Sequence, residues 1–199
     1  MKKISFFLTL IIFLFNITFL HAYSSDPRTF IEELVGDSIE KLSDKNLTKD
    51  EKSKFIEKIA LEYVDINALS LYTLGELRKT AKEDDLKNYQ KVFEKYFLKS
   101  LTSRLTDYSS SKFEAINSEQ KSSNYTIVKS KIVPDNKDPE IKIDWRVYTK
   151  NPDKPLIRDL IVEGLSLART QKEEFSSILS SNDNDINALI NKLEEFNNN

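Results

Sequence analysis

The sequence predicts an α+β fold in one domain: N-terminal helices, a four-stranded antiparallel sheet, and two C-terminal helices. Three observations predict it. Apolar residues recur every three or four positions as far as Tyr108; after Ser109-Ser110-Ser111 they alternate with polar ones; beyond Gly164 the helical spacing returns. No internal repeat and no linker divides the chain.

The elements follow in order. Lys2 and Lys3, an apolar run from Ile4 to Leu20, and small residues around Ala22 have the layout of a secretory signal peptide over residues 1–22. Cleavage after Ala22 or after Ser24 fits. An uncleaved anchor is the rival reading, but no positive cluster follows the run to stop transfer. Residues 23–199 then form the exported domain. Asp26 and Pro27 cap a first helix carrying Phe30, Ile31, Leu34, Val35, Ile39 and Leu42 on one face. Thr48 and Glu51 make a capping box for a second, with Phe55, Ile56, Ile59, Ala60 and Tyr63. Asp65 opens a short third helix that Gly75 ends.

The strongest periodicity runs from Glu83 to Tyr108, through Leu86, Tyr89, Phe93, Tyr96, Phe97, Leu101 and Leu105. Strands are expected at 112–119 and 123–133, then from Ile141 through Trp145 to Val147, then from Leu156 to Glu163. Turns fall at 134–139 and 151–155. Ser166 caps a helix with Ala168, Gln171, Phe175, Ile178 and Leu179. The last helix carries Ile186, Leu189, Ile190, Leu193 and Phe196.

Composition excludes most catalysis. There is no cysteine, and the one histidine, His21, leaves with the signal peptide. That removes Ser-His-Asp triads, cysteine nucleophiles and imidazole or thiolate metal sites. Three ungrouped glycines make no phosphate-cradling loop. Without Lys2 and Lys3, the 30 basic residues fall to 28 against 32 acidic ones, a net charge of −4 that disfavours nucleic acid. Asp183, Asp185, Asn187 and Glu194 have the spacing of a calcium loop. However, Ala188 stands at the position that needs glycine, and a helical repeat runs straight through. A cap on the last helix is the better reading. What remains is apolar surface, read from pattern alone as ordinary core before a ligand cavity.

A resemblance adds to this. The stretch Asp159-Leu160-Ile161-Val162-Glu163-Gly164-Leu165-Ser166-Leu167 closely resembles the Asp-Val-x-Val-Glu-Gly-Val-Ser-Leu signature of the MlaC family, also called the toluene-tolerance family. Ala168 to Phe175 is similar to the family's next segment, with Lys172 where a variant has arginine. Tyr72 to Ala81 is similar to its Val-Leu-Gly-x-x-Trp-Arg-x-Ala segment, with Leu77 in place of tryptophan. Val92 to Tyr108 and Ile143-Asp144-Trp145-Arg146-Val147 resemble the long helix and the strand before the signature, so the likeness spans residues 28–196.

The resemblance implies an NTF2-like α+β fold enclosing an apolar pocket between helices and sheet. It implies a periplasmic phospholipid-binding shuttle in a Gram-negative cell, not an enzyme. Such a shuttle passes lipid between an outer-membrane lipoprotein/porin complex and an inner-membrane ABC transporter complex with an MCE-type subunit, and so maintains outer-membrane lipid asymmetry. No cofactor is implied; phospholipid is the cargo. Face and family architecture together give the lipid-binding candidates: Leu34, Leu69, Tyr72, Leu74, Phe93, Phe97, Leu101, Trp145, Val147, Leu160, Val162 and Leu165. Arg78, Arg146 and Arg158 are candidates for headgroup or partner contacts. Gly164 is expected to turn the chain so that the next helix sits against the pocket floor, or to serve as a plain turn. Two other classes stay open: a lipid-free envelope adaptor, and an NTF2-like enzyme with a carboxylate base.

Overall fold

The computed structural model describes residues 23–106, 111–134 and 139–199. The expected signal segment at 1–22, the end of the long repeat at Tyr108 and the turn at 135–138 lie outside them.

Local chemistry starts each helix where the sequence places a cap. Helix α1, Pro27–Ser43, begins with Asp26 accepting from the Thr29 amide at 2.9 Å. Helix α2, Lys49–Tyr63, has the full capping box. The Thr48 hydroxyl accepts the Glu51 amide at 3.2 Å, and the Glu51 carboxylate accepts the Thr48 amide at 2.8 Å. Asp65 caps α3, Ile66–Thr73, by accepting from Ala68 at 3.1 Å. Gly75, at φ 58°, then turns the chain into a short 3-10 helix, Gly75–Lys79, which periodicity does not foretell. Helix α4, Glu83–Leu105, buries Tyr89, Val92 and Phe93, with Leu86, Tyr96 and Phe97 packed beside them.

The sheet is antiparallel and meanders in the order β1-β2-β3-β4-β5. Its strands are β1 (Ser111–Ser122), β2 (Tyr125–Pro134), β3 (Ile141–Tyr148), β4 (Leu156–Val162) and β5 (Leu165–Ser166). The count is five where the sequence predicts four. β5 has two residues, too few to show a period, and exists because Leu165 and Ser166 pair back onto Val162 and Ile161. The β1–β2 ribbon also runs closer to its turn than expected, and its register shifts at 115–117 and 120–122, where bulges bend the strand and sharpen its twist. Helices α5, Leu167–Ser180, and α6, Ile186–Asn198, close the chain.

Two cores result. One joins α3, α4, α5 and α6 around Tyr89, Phe93, Phe175 and Leu189. The Tyr89 hydroxyl, inside it, shares a 2.7 Å hydrogen bond with Thr73, and burial raises its pKa far above the usual phenol value. The other core packs Phe30, Ile31, Leu34 and Val35 of α1, with Tyr63, against one face of the sheet. The Trp145 indole there donates to Ser130 at 2.8 Å, and Ser130 donates to the Ile143 carbonyl at 2.9 Å, so the buried polar atoms are matched.

Candidate functional site

A cleft of about 920 Å³ lies between α3 and the sheet face turned away from α1. Helix α3 forms one wall with Ala68, Leu69, Leu71 and Tyr72. The sheet contributes Tyr125, Ile127 and Lys129 from β2, Asp144 and Arg146 from β3, and Arg158 and Ile161 from β4. Ala168, in the first turn of α5, closes one side; Arg78, Lys121 and Ser122 complete the lining. Among the described residues the lining therefore mixes apolar side chains with five cations and one carboxylate, Asp144.

Two constructions hold this cleft open. The first docks α3. The Asp65 amide donates to the Ile157 carbonyl at 2.9 Å, and Val64 makes a parallel bridge to the same residue. Asp65 also takes the Arg158 guanidinium at 2.6 Å. That guanidinium lies 3.4 Å from the centre of the Tyr148 ring and donates to the Tyr125 hydroxyl at 2.8 Å. Burial opposes its charge, but the bonds it donates to Tyr125 and Asp65 outweigh burial and raise its pKa.

The second construction docks α5. Glu163 (φ 48°) and Gly164 (φ 82°) form a two-residue hairpin between the paired Val162 and Leu165, as a type I′ turn requires. The Glu163 carboxylate accepts the Lys142 amide at 2.5 Å, tying the turn to β3. Behind it, Asp159 is buried. It accepts from the Ser166 hydroxyl at 2.6 Å and from the Ala168 amide at 3.0 Å, with Arg146 at 3.5 Å. Ser166 in turn accepts the Arg169 amide at 3.0 Å. The Asp159 carboxylate thus sits at the positive end of α5 and fixes its start beside the cleft.

Of the residues selected from sequence, Leu69 and Tyr72 line this cleft, and so do all three arginines, Arg78, Arg146 and Arg158. Leu34, Trp145, Val147, Leu160 and Val162 lie instead in the core between α1 and the other sheet face. Leu74, Phe93 and Phe97 belong to the helical core, and Leu101 is half-buried on α4. Leu165, 69% exposed, pairs with Val162 at the sheet edge. Ala68, Leu71, Ile127, Lys129, Asp144 and Ile161 were not singled out. The available signal was in β4, where Leu-Ile-Arg-Asp-Leu-Ile-Val is apolar in both phases, as a strand covered on both faces should be.

A smaller groove of about 510 Å³ lies between α1 and β1. Arg28 there is already paired with Glu32 at 2.9 Å and donates to the Ala115 carbonyl at 3.0 Å. Among the described residues no group of three or more His, Cys, Asp or Glu could hold a metal ion. At the calcium-like spacing Asp185 caps α6, accepting the Asn187 amide at 2.9 Å, as the cap reading expects.

The family model described as MlaC protein matches residues 32–195. No curated protein matches the chain. Among solved structures, the fold is similar to that of a phospholipid-binding protein from Ralstonia solanacearum, solved in complex with a phospholipid. The TM-score is 0.69 at 17% identity, over 84% of this chain and 94% of the other.

Proposed function

Since the chain belongs to the MlaC family, we propose that it binds a phospholipid in the cleft between α3 and the sheet and carries it across the periplasm. The observation that carries the reading is a single cleft lined by both apolar side chains and cations. Leu69, Leu71, Tyr72, Ile127 and Ile161 offer acyl contacts, while Arg78, Lys129 and Arg146 offer contacts to a phosphate. A volume of about 920 Å³ is in the range of small-molecule sites. Exposing a sixteen-carbon chain to water costs on the order of 10 kcal/mol, so sheltering it is most of a carrier's work. Release to another site breaks no covalent bond, which is why a chain without cysteine suits this task.

In this reading residues 1–22 are the export signal and 23–199 the binding domain. The exchange partners are an outer-membrane lipoprotein/porin complex and an inner-membrane ABC transporter complex, and the purpose is to keep the outer membrane asymmetric. The protein acts as a binder and not as an enzyme. The acyl chain first meets Leu69 and Tyr72. It reaches Trp145, Val147, Leu160 and Val162 only by parting α1 from the sheet.

Native mass spectrometry of protein purified without detergent tests this. Discrete added masses that dissociate as phospholipids are expected. A bare polypeptide mass that stays bare after incubation with vesicles would sink the carrier reading in favour of a lipid-free adaptor.

A further inference from the structure

We propose that the cleft selects phospholipids with a net anionic headgroup, the phosphatidylglycerol class, over zwitterionic lipids whose headgroup ends in an amine. This rests on the phospholipid-binding reading of the same cleft. An ammonium or trimethylammonium group is recognised by a carboxylate or by an aromatic box. The cleft has one carboxylate, Asp144, which cations flank, and one ring of an aromatic pair, Tyr125, which Arg158 covers.

Asp144 is the one carboxylate among the described lining residues, and it stands directly opposite Lys129 in the β2–β3 ladder. Arg146 follows two residues along the same face, so little negative potential is left for an incoming amine. The aromatic pair is Tyr125 and Tyr148, with ring centres 5.4 Å apart. Arg158 fills it, 3.4 Å from the Tyr148 centre and bonded to the Tyr125 hydroxyl, and Asp65 anchors it from behind at 2.6 Å. A choline group would have to expel this guanidinium and leave Asp65 without its partner.

A headgroup carrying only a phosphate and hydroxyls meets the opposite situation. Arg78 donates to the Gly75 carbonyl, and neither it nor Lys129 forms a salt bridge among the described residues. Both line the cleft and keep their charge for a ligand. The phosphate is common to both lipid classes, so the difference is the repulsion these cations exert on a terminal ammonium, up to about 1 kcal/mol for an exposed pair, or about fivefold in affinity.

The test is competition. The purified protein is incubated with vesicles holding equal parts of phosphatidylglycerol and phosphatidylcholine with matched acyl chains, and the bound lipids are counted by mass spectrometry. An enrichment of phosphatidylglycerol of about fivefold is expected; an even ratio, or one favouring choline, overturns the selectivity. Binding of neither lipid overturns the lipid reading of the cleft itself, a result distinct from binding without preference. The double variant Arg78→Gln with Lys129→Gln should bring the ratio close to one; an unchanged ratio removes these cations as its source. In about 1 M salt, where screening shortens to about 3 Å, the wild-type preference should shrink, and a preference that persists undiminished overturns its electrostatic origin.

Discussion

The carboxylate of Asp159 accepts a 2.6 Å hydrogen bond from the hydroxyl of Ser166, seven residues further along the chain. Between them lie the last residues of β4 and the whole Glu163-Gly164 turn, so this one contact closes the path from strand to helix. The second oxygen takes the Ala168 amide, which makes Asp159 a cap for α5 from outside the helix.

Asp159→Ala should therefore be costly. It leaves a buried amide and a hydroxyl without their acceptor and removes the partner of Arg146. A loss of about 2–4 kcal/mol in urea unfolding is expected, with Asp159→Asn retaining part of it. A loss below about 0.5 kcal/mol, the usual size for an unremarkable surface site, would show that the carboxylate is not what holds the helix start.

Gly164 calls for a backbone test. At φ 82° a side chain is strained, although nothing lies within 4 Å of where a Cβ would stand. Gly164→Val should cost about 1–2 kcal/mol from conformation alone, and Gly164→Asn clearly less. Equal losses for Val and Asn would contradict a φ-based origin. Retained lipid content in a destabilised Gly164→Val protein would mark the glycine as a plain turn, whereas altered content would mark the turn as setting cleft width.

Arg158 joins β4 to the cap of α3 through Asp65, so Arg158→Lys should not behave as a conservative change. Lysine can pair with Asp65, but it cannot lie flat on Tyr148 while bonding the Tyr125 hydroxyl. We expect about 1–2 kcal/mol of destabilisation and faster amide exchange at the start of α3. Exchange at wild-type rates in α3 would mean that the Asp65 and Val64 backbone contacts to Ile157 suffice.

Acid should weaken the first helix. Hydrogen bonds from Thr29 lower the pKa of Asp26 below 3.8, outweighing a burial effect that raises it. The unfolded chain therefore takes up this proton at a higher pH than the folded one. The stability it contributes is complete above the ordinary value and is lost as pH falls through the lowered folded value. Asp26→Asn should flatten the stability profile in that window and change little at neutral pH, since Asn also caps. An unaltered acid limb would assign the pH dependence to other carboxylates.

The cleft can also be closed by design. Ala68, half-buried on α3, lines it outside both core clusters, and Ala68→Trp should fill much of the space. Lipid adducts should fall at least tenfold while the thermal midpoint moves by only a few degrees. Full lipid occupancy in a folded Ala68→Trp protein would place the cargo elsewhere, with the core between α1 and the sheet as the next site to probe.

Caps and periodicity were legible in the sequence because their causes are local. Asp26, Thr48 with Glu51, Asp65 and Ser166 each act within three residues of themselves, and all start helices as expected. The alternation of β3 also separated its faces correctly, Ile143, Trp145 and Val147 from Asp144 and Arg146. The same alternation does not say what covers each face. Its apolar side was taken for the pocket and packs against α1, while the polar side, which alternation assigns to solvent, lines the cleft.

The amino-acid sequence by itself determined the class of fold, the helix starts, the family and the absence of thiol chemistry, because each is set by residues close together in the chain or by simple inventory. Only the tertiary structure decided where the cleft lies and which charges ring it. Asp65 meets Arg158 across 93 positions, and Tyr125 meets the same guanidinium across 33. Such pairings follow from how α3 and α5 seat on the sheet, and that seating is settled by the packing of two separate cores, which no stretch of the chain carries alone.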